Sequence, residues 1–485
     1  MQDVYHYWGG EWRKPLGTLV LPVHDPARDE IVGQVICAGN DEVAAAVETA
    51  HAAFRTWRTT PVTDRVQPLF RLKALLERDF EALARTITLE CGKTLAESRG
   101  EIRRAIENVE TACGMPYLLQ SGFNEGIASG IDEFSIRQPM GVAAILCPFN
   151  FPGMIPFWFL PYAIGVGATV VLKPSERVPL TMQMLMQIMQ ESGFPAGVVN
   201  VINGGRQVSE ALIAHPLVKT VSFVGSSIAA RAVYAQAASL GKRVQCQGGA
   251  KNPVVILPDA DLESSTAVIA DSAFGCAGQR CLAASVAVLV GEASRSFGDA
   301  LREAAATRKT GNGFDEVQMG PVISNASRER IHGLLSSIES EGGRLSVDGR
   351  KHALETGYFV KPTIVEDLAE QSELLRTEIF GPVLTLVEKP DIEAALDFVN
   401  SGAYGNMACL FTRSGEAARR FRNEAEVGNV GINVGVAAPM SFFPFSGARE
   451  SFFGDLHGQG KDAVRFFTNE KVVVERWPKE WSRKF

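Results

Sequence analysis

The sequence lacks long apolar runs and blocks of like charge. No stretch reaches the roughly 18 consecutive apolar residues that a membrane-spanning helix needs, and the opening MQDVYHYWGGEWRKP has no apolar core of the kind found in secretory signals. The net charge is −7, with lysine and arginine scattered along the chain, which argues against a nucleic-acid or membrane-surface partner. We therefore expect a cytoplasmic protein that acts on small, diffusing molecules.

Cysteine and histidine are also scarce. The 485 residues include eight cysteines and seven histidines, and no cysteine lies within metal-ligand spacing of a histidine. A chain of this length does not depend on disulfides. No metal site is expected, and the cysteines are expected to be free thiols, one of which is a candidate nucleophile.

The chain does have enough apolar material for a large core. Hydrophobic residues make up 46% of the sequence, which suits two or three domains. In the first third of the chain, apolar residues recur at spacings of three and four residues. This periodicity predicts a helix over DEVAAAVETAHAAFRTW with Asn40 as its cap, a second from residue 63 or 64 to 90, and a third over about 95–117.

From Gly141 onward, short apolar runs alternate with helical stretches. GVAAILC, ATVVLKPS, GVVNVING and VKTVSFVGS predict parallel strands joined by crossover helices, and PVVILPD, SVAVLVG, VLTLVEK and MACLFT form a second such series after Ala250. The fold class is therefore α/β, with two doubly wound domains and a boundary near Gly248 and Gly249. Two further strands, at residues 124–138 and in the tail VRFFTNEKVVVERW, are expected to pair with each other or with another subunit.

The strongest candidate nucleophile is Cys281, in FGCAGQRCLAASVAVLV. A glycine-containing loop precedes an apolar strand there, a position from which a thiol can face a cleft between domains. Most cysteines are simply buried, and no histidine lies nearby in sequence to act as a general base. Backbone amides and the charge of Arg280 would have to lower the pKa of this thiol.

Four more short motifs lie at the ends of predicted strands. In CPFNFPGMIPFW, Asn150 stands at a rigid strand end, where its amide can hydrogen-bond an oxyanion. LKPSE presents polar side chains at a strand's carboxyl edge, where ligands of open α/β sheets bind. FVGSS opens a helix whose N–H groups can face a phosphate, and EIFGPV places Glu378 before a Gly-Pro turn. Each string alone is as well explained by an ordinary turn or solvated loop.

Together these strings form a recognisable set. CPFNFP, LKPSE, FVGSS, GGAKNP, GQRC and EIFGPV, in this order and at these separations, resemble the aldehyde dehydrogenase superfamily over essentially the whole chain. The resemblance implies an aldehyde dehydrogenase-like fold with an NAD-binding domain (residues 1–123 and 142–249), a catalytic domain (250–443) and a small β oligomerisation arm (124–141 and 464–481). It also implies a homodimer or homotetramer.

The resemblance further implies roles for the motif residues. Cys281 adds to the aldehyde carbonyl, Asn150 and the Cys281 amide stabilise the oxyanion, and a hydride then leaves for NAD. The residues expected to line the NAD site are Cys147, Phe149, Lys173, Glu176, Arg177, Gly225, Ser226, Gly248, Glu378 and Phe380.

Within that site, Lys173 and Glu176 are expected to hold the adenine ribose. Ser226 is expected near the pyrophosphate, and Glu378 at the nicotinamide ribose. A carboxylate such as Glu176 beside the ribose 2′-hydroxyl repels a 2′-phosphate, which favours NAD over NADP.

One departure points to a branch of that family. Most hydrolytic members carry a Glu two residues before the Gly-Gly of this segment, and VQCQGGAKNP has Cys246 in that place. Without a carboxylate there, water attacks a thioester slowly, whereas a thiol such as coenzyme A needs less help from a base. GINVGVAAPMSFFPFSG and SFFGDLHGQGKDAVRFFT resemble the CoA-acylating methylmalonate-semialdehyde dehydrogenase branch. This implies oxidation of malonate or methylmalonate semialdehyde, loss of CO₂ and transfer of the acyl group to CoA as co-substrate.

A substrate carboxylate needs a cationic partner. Arg104, in EIRRAIENVE, and Arg280 match the branch's carboxylate-binding positions, and a guanidinium can grip a carboxylate through two parallel hydrogen bonds. Arg103 adjoins Arg104 and is the alternative at that position. Ala448, in PFSGARES, stands where the branch usually has Trp. Two other interpretations stay open: a hydrolytic semialdehyde dehydrogenase, for instance one for succinate semialdehyde, and a catalytically silent relative that binds or supports other molecules.

Overall fold

A computed structural model describes residues 2–351, 354 and 356–477 of the chain. In chain order, the strands are β1 (Gln2–Val4), β2 (His6–Trp8), β3 (Glu11–Arg13), β4 (Val20–Asp25), β5 (Glu30–Ile36), β6 (Phe123–Ala128), β7 (Ile131–Pro139), β8 (Val142–Leu146), β9 (Thr169–Lys173), β10 (Val199–Val201), β11 (Val218–Val224), β12 (Arg243–Gln247), β13 (Asn252–Ile256), β14 (Ala284–Val290), β15 (Arg344–Val347), β16 (Thr363–Glu366), β17 (Val383–Lys389), β18 (Tyr404–Gly405), β19 (Met407–Phe411), β20 (Asn429–Ile432), β21 (Ala448–Arg449), β22 (Phe452–Phe453) and β23 (Thr468–Arg476). The α-helices are α1 (Asn40–Trp57), α2 (Val62–Arg65), α3 (Gln67–Arg78), α4 (Phe80–Cys91), α5 (Leu95–Cys113), α6 (Met115–Leu118), α7 (Leu160–Val166), α8 (Pro179–Glu191), α9 (Arg206–Ala214), α10 (Ser227–Ser239), α11 (Leu262–Phe274), α12 (Ala293–Thr307), α13 (Asn325–Ser336), α14 (Glu373–Arg376), α15 (Ile392–Ser401), α16 (Gly415–Glu424) and α17 (Gly460–Phe466).

The first large sheet has the strand order β22-β12-β11-β8-β9-β10-β2-β3. Its central strands β12 to β10 run parallel, as the first series of apolar runs predicts. Strand β8 is buried at every residue, because helices cover both faces of a parallel sheet. Its side chains alternate accordingly: Ile145 packs into one apolar cluster and Leu146 into a second on the opposite face.

The second large sheet has the order β15-β16-β17-β14-β13-β19-β20. All of its neighbours pair in parallel except β15 and β16. Both predicted series of parallel strands are therefore present, and the α/β fold class is confirmed. The residue at which the chain divides into domains stays a prediction.

The two strands that lie outside these series pair with each other. Strand β23 runs antiparallel to β7 over nine residue pairs, from Thr468 opposite Pro139 to Arg476 opposite Ile131, and β6 adds a third strand on the other side of β7. The first of the two predicted pairings is the observed one. Residues 478–481 of the predicted arm lie outside the described residues.

The N-terminal helices differ from prediction at their ends. Gly39 rather than Asn40 is the N-cap of α1, because the Glu42 carboxylate reaches back to accept the Gly39 N–H at 2.9 Å. The single helix predicted over 63–90 is three helices, α2 to α4. Helix α5 ends at Cys113, and the chain restarts as α6, since Pro116 has no N–H to continue a helix.

None of the helices in the described ranges is long and apolar enough to cross a membrane. The cytoplasmic location stays a prediction.

Candidate active site

The predicted site residues lie where the two large sheets meet. Asn150 and Glu176 follow β8 and β9, at the carboxyl ends of parallel strands in the first sheet. Cys281 and Glu378 precede β14 and β17, at the amino ends of strands in the second sheet. The Asn150 amide spans the junction, because its Nδ2 donates to the Gln279 carbonyl at 3.0 Å.

The loop before Cys281 follows a left-handed path. Cys276 and Ala277 have φ angles of 50° and 52°, which residues with a Cβ rarely adopt. Gly278 continues at 68°, and a Cβ there would lie 2.0 Å from a backbone oxygen, so only glycine fits. The Gln279 side chain donates back to the Cys276 carbonyl at 3.3 Å. This path presents Cys281 just before β14.

Two asparagines fix the backbone of Cys281. Its carbonyl accepts from Asn252 Nδ2 at 2.8 Å and from Asn406 Nδ2 at 2.7 Å. Each asparagine lies at the amino end of a strand, Asn252 in β13 and Asn406 before β19. Sequence reasoning missed both roles, although Asn252 belongs to the motif GGAKNP.

Burial raises the pKa of the Cys281 thiol to about 12. The Glu378 carboxylate raises it further, while the N–H groups of Cys281 and Leu282 and the Asn406 amide lower it. The thiol is therefore neutral at rest. The predicted contribution of Arg280 is not among these contacts, because its guanidinium interacts with Glu97 instead.

Asn150 is buried between the nucleophile loop and the start of α5. Its side chain donates to Gln279, two residues before the nucleophile, and its own carbonyl accepts from Lys93 Nζ at 2.6 Å. The structure thus places the Asn150 amide against the loop that leads to Cys281. The role of Asn150 and the Cys281 N–H in stabilising the oxyanion stays a prediction.

Arg280 and Glu97 form an ion pair at 3.2 Å beside the nucleophile. The same Glu97 oxygen accepts the backbone N–H of Cys276 at 2.6 Å. Its other oxygen accepts the N–H of Thr94 at 2.9 Å, which caps α5. Glu97 therefore ties the arginine and the strained loop to one helix end.

Arg104 and Arg103 point to different surroundings. Arg104 Nη1 lies 2.9 Å from Glu107 and 3.0 Å from the sulfur of Met440, in the segment that follows β20. Arg103 lies 3.7 Å from Glu77 on α3. Of these two neighbours, Arg104 is the one that faces the segment resembling the semialdehyde branch.

Lys173, Glu176 and Cys147 lie together at the carboxyl ends of β8 and β9. Lys173 Nζ donates to the Pro174 and Gly204 carbonyls at 2.8 Å each and lies 3.4 Å from Glu176. Burial lowers the pKa of Lys173, and Glu176 opposes this. The Cys147 N–H donates to the Lys173 carbonyl at 3.0 Å. An ammonium and a carboxylate side by side can hold a vicinal diol.

Phe149, Phe380 and Arg177 bridge the two sheets. The rings of Phe149 and Phe380 meet edge to face with centroids 5.7 Å apart. The Arg177 guanidinium lies 5.9 Å from the Phe149 centroid and donates to Ser324 Oγ, the N-cap of α13, at 2.9 Å. Three predicted cofactor residues are therefore neighbours.

Ser226 and Gly225 open helix α10. Ser226 is its N-cap, with Oγ accepting from Ala229 N–H at 3.4 Å. On the neighbouring strand end, a Cβ on Gly248 would lie 2.7 Å from the Glu450 carbonyl oxygen. This close packing leaves room for glycine only.

The Glu378 carboxylate packs against the turn that follows β12. It accepts the Ala250 N–H at 2.9 Å, and a Cβ on Gly249 would meet it at 2.4 Å. Burial raises the pKa of Glu378 to about 7, opposed by the Ala250 N–H, Arg330 and Lys251. Burial likewise lowers the pKa of Lys251 to about 7.

Cys246 does not occupy the place predicted for it. Its side chain packs with Ala230 and Ala237 of α10, on the face of β12 that points away from the nucleophile. Because strand side chains alternate, the next residue, Gln247, points to the other face and donates to the Phe445 carbonyl at 3.2 Å. Phe445 belongs to the apolar cluster against which Cys281 packs. Gln247 is therefore the strand-end side chain on the site's face.

Comparison with known proteins places this geometry in a family. The model of the aldehyde dehydrogenase family matches residues 12–473. Malonate-semialdehyde dehydrogenase 2 of Geobacillus kaustophilus is 43% identical over 480 residues, covering 98% of this chain and 99% of that protein. The enzyme of the same name from Oceanobacillus iheyensis is 42% identical with the same coverage.

Solved structures give the same assignment. Methylmalonate-semialdehyde dehydrogenase from Oceanimonas doudoroffii superimposes with a TM-score of 0.97 at 41% identity, covering 100% of both chains. A protein of Sinorhizobium meliloti assigned the same activity, solved with NAD, also reaches 0.97, at 39% identity and 99% coverage of both chains. This chain belongs to the aldehyde dehydrogenase family.

Proposed function

We propose that this enzyme oxidises malonate or methylmalonate semialdehyde with NAD, and passes the acyl group to coenzyme A as acetyl- or propionyl-CoA with loss of CO₂. For malonate semialdehyde, the aldehyde, CoA and NAD⁺ give acetyl-CoA, CO₂ and NADH. One observation carries the proposal: Gln247, at the end of β12 on the face opposite Cys246, is a neutral amide, and RVQCQGGA, where a hydrolytic enzyme needs a carboxylate base, has no acidic residue.

Cys281 is the proposed nucleophile. Its thiol, which is partly exposed, releases its proton to solvent as the sulfur adds to the aldehyde carbon. The negative charge that develops on oxygen is stabilised by the Asn150 amide and the Cys281 N–H. NAD, held by the residues described next, would supply the hydride acceptor that thioester formation requires. The left-handed loop and the two asparagines that bind the Cys281 carbonyl hold the sulfur in position while the aldehyde is converted to the thioester.

The residues around Lys173 fit NAD. Glu176 can accept both adenine-ribose hydroxyls and Lys173 can donate to them, while the open N-terminus of α10 at Ser226 suits a pyrophosphate. Glu378, held by the Ala250 N–H, suits the second ribose. The relative solved with NAD supports this assignment.

Arg280 and Arg104 are the proposed partners of the substrate carboxylate. Arg280 adjoins the nucleophile in sequence and is 22% exposed at its side chain, so a substrate can reach it. Arg104 approaches from α5 beside Met440. The semialdehyde names of the relatives support a substrate that carries a carboxylate.

Coenzyme A is the proposed acyl acceptor. Gln247 cannot take a proton from water, so hydrolysis of the Cys281 thioester lacks a base at this position. A thiolate attacks a thioester without such a base. The acyl group therefore waits on the enzyme for CoA.

The deciding experiment is rapid mixing of enzyme, NAD and malonate semialdehyde, with and without CoA. Without CoA, a burst of NADH should be followed by arrest, with an acyl mass on Cys281 by mass spectrometry. CoA should restore turnover and yield acetyl-CoA and CO₂. Cys281→Ala should give no burst while keeping NAD binding. A silent relative would give no NADH with any aldehyde.

A hydrolytic enzyme is the second candidate, and Glu378 favours it. This carboxylate is the charged group that acts on the Cys281 thiol, and its pKa of about 7 suits a general base. Steady NADH formation without CoA and accumulation of the free acid would establish this alternative and overturn the first. A Glu378→Gln enzyme that still gives the NADH burst but no free acid would assign the base to Glu378.

We also propose a homodimer or homotetramer. Strand β23 lies at the edge of its three-stranded sheet, where Val472 and Val474 are each 62% exposed. An exposed apolar sheet edge favours pairing with another chain. A stable monomer by light scattering would contradict the proposal.

A further inference from the structure

Helix α5 carries polar residues that each contact a different segment of the site. Glu97 holds the nucleophile loop, Glu101 the loop after Asn150, and Thr111 the hydroxyl of Ser441 at 2.7 Å. Their spacing of four and then ten residues keeps them on one side of a helix with 3.6 residues per turn. The helix therefore acts as a common support for separate parts of the site.

Glu101 and Lys93 form a fully buried ion pair under the Asn150 loop. Lys93 Nζ lies 2.7 Å from Glu101 Oε2, with side chains 2% and 0% exposed. The same ammonium donates to the Asn150 carbonyl at 2.6 Å and lies 3.9 Å from the centroid of Phe151. Lys93 thus contacts both Asn150 and the residue that follows it.

The other Glu101 oxygen holds the next part of that loop. Oε1 accepts the N–H of Gly153 at 2.6 Å and of Met154 at 3.1 Å. Gly153 packs closely: a Cβ there would lie 2.7 Å from Ile102 on the same helix. The pair therefore anchors the chain from Asn150 to Met154 at both ends.

This arrangement has a chemical consequence. An oxyanion donor acts only when its N–H is aimed at the place where charge develops. A shift of about 1 Å in such a group costs about 10²-fold in rate. Lys93 and Glu101 anchor the backbone to which the Asn150 side chain is attached. The direction of the Asn150 N–H therefore depends on these two residues.

We propose that Lys93 and Glu101 are positioning residues that set the Asn150 amide for oxyanion stabilisation during addition of Cys281 to the aldehyde. The proposal rests on the role of Asn150 in the proposed function. Neither residue touches the reacting atoms; both act through the backbone of the Asn150 loop. A buried pair kept only for stability would not change the rate of the chemical step through Asn150.

A double-mutant cycle on the NADH burst tests this. Lys93→Met and Glu101→Gln should each slow the burst by about 10- to 100-fold, with little change in NAD affinity by fluorescence titration. Glu101→Gln keeps an oxygen for the Gly153 and Met154 N–H groups, so it should slow the burst less than Lys93→Met does. In an Asn150→Ala background, the same changes should slow the remaining burst by less than about threefold.

Glu90→Gln is the matched control. Glu90 is also a fully buried carboxylate and accepts two backbone N–H groups, from Leu180 at 2.7 Å and Thr181 at 2.8 Å. It holds the start of α8 rather than the Asn150 loop. Its variant should lower the melting temperature without slowing the burst in a way that depends on Asn150.

Three outcomes are decisive. If Lys93→Met and Glu101→Gln slow the burst by the same factor in the Asn150→Ala background as in wild type, the positioning role is overturned, while the role of Asn150 as oxyanion donor is unaffected. An Asn150→Ala enzyme with a normal burst would overturn the assigned oxyanion donor itself. If Lys93→Met does not fold, Lys93→Arg keeps the charge with a different donor geometry, and a burst rate equal to wild type in that variant would also overturn the proposal.

Discussion

Arg280 donates to Glu97 at 3.2 Å, so the cation beside the nucleophile has an anionic partner before any substrate arrives. Glu97 is in turn bound to the N–H groups of Thr94 and Cys276, which limits its own movement. The guanidinium has five N–H donors in a planar fork. A substrate carboxylate can therefore bind donors that Glu97 leaves free, and Glu97 orients the fork for it.

The first prediction concerns carboxylate recognition. Arg280→Leu should lower kcat/KM for malonate semialdehyde about 30-fold or more, because loss of one partner of a buried charge pair costs about 2–5 kcal/mol. Arg104→Leu should act in the same direction but less, since its side chain is 37% exposed. Propionaldehyde, which has no carboxylate, should be affected little. Steady-state kinetics with both aldehydes measure this.

Arg103→Leu is the control for that prediction. Arg103 neighbours Arg104 in sequence but pairs with Glu77. Its loss should leave the preference for malonate semialdehyde over propionaldehyde unchanged. An equal loss of preference in Arg103→Leu would mean that the wrong arginine has been assigned.

The second prediction separates Gln247 from Cys246. Gln247→Glu places a carboxylate on the face of β12 that holds Phe445, so NADH formation without CoA should rise and the free acid should appear. Cys246→Glu places the charge among Ala230 and its apolar neighbours, which should destabilise the protein without creating a base. Assays of CoA-independent turnover, with thermal unfolding, distinguish the two. Gain of hydrolysis in Cys246→Glu alone would reverse the assignment.

The third prediction uses the raised pKa of Cys281. The thiol is protonated below a pKa of about 12, so its alkylation by iodoacetamide should quicken about tenfold per pH unit between pH 7 and 10. Glu378→Gln removes the negative charge that raises this pKa. The variant should therefore react faster than wild type above pH 7, where Glu378 is ionised, and equally below it.

Mass spectrometry of the peptide that contains Cys281 follows that reaction. Glu176→Gln is the control, because Glu176 lies beside Lys173 and not beside the nucleophile. A rate that does not vary with pH, or one that Glu176→Gln raises as much as Glu378→Gln, would contradict the electrostatic account.

The fourth prediction concerns Glu90. Burial raises its pKa from 4.5 to about 8, so the folded protein holds this proton where the unfolded chain releases it. The contribution to stability is full below about pH 4.5 and is lost as pH rises through 8, at about 1.4 kcal/mol for each pH unit between those two values. Urea unfolding should show a smaller decline between pH 5.5 and 8.5 in Glu90→Gln than in wild type. Parallel declines would contradict it.

The sequence predicted much of the site because the motifs lie at strand ends. Once strands are placed, Asn150 and Glu176 must share the carboxyl edge of one parallel sheet. The left-handed loop before Cys281 and the Asn252 contact depend on side chains far apart in sequence. No local pattern reports such contacts, so they were missed.

One position in the site was wrongly predicted and one supporting contact was missed, each for a local reason. Counting back from Gly248 and Gly249 selects Cys246, whereas the face that a strand residue occupies is set by alternation along β12. The support from Lys93 and Glu101 was not predicted, because Glu101 lies on a predicted helix, whose charged residues are expected on its solvated face, and Lys93 lies just before that helix. Their burial follows from the contact of α5 with the Asn150 loop, which the sequence of α5 alone does not indicate.

The pairing of β7 with β23 also sets an order of events during synthesis. Residues 131–139 leave the ribosome long before residues 468–476, their partners in the finished sheet. Until then β7 has only β6 beside it and one open edge, so the nascent chain carries a surface prone to mispairing. In the proposed oligomer, assembly through this arm would wait for translation to reach β23. A chain arrested before residue 468 should therefore stay unassembled and should depend on chaperones.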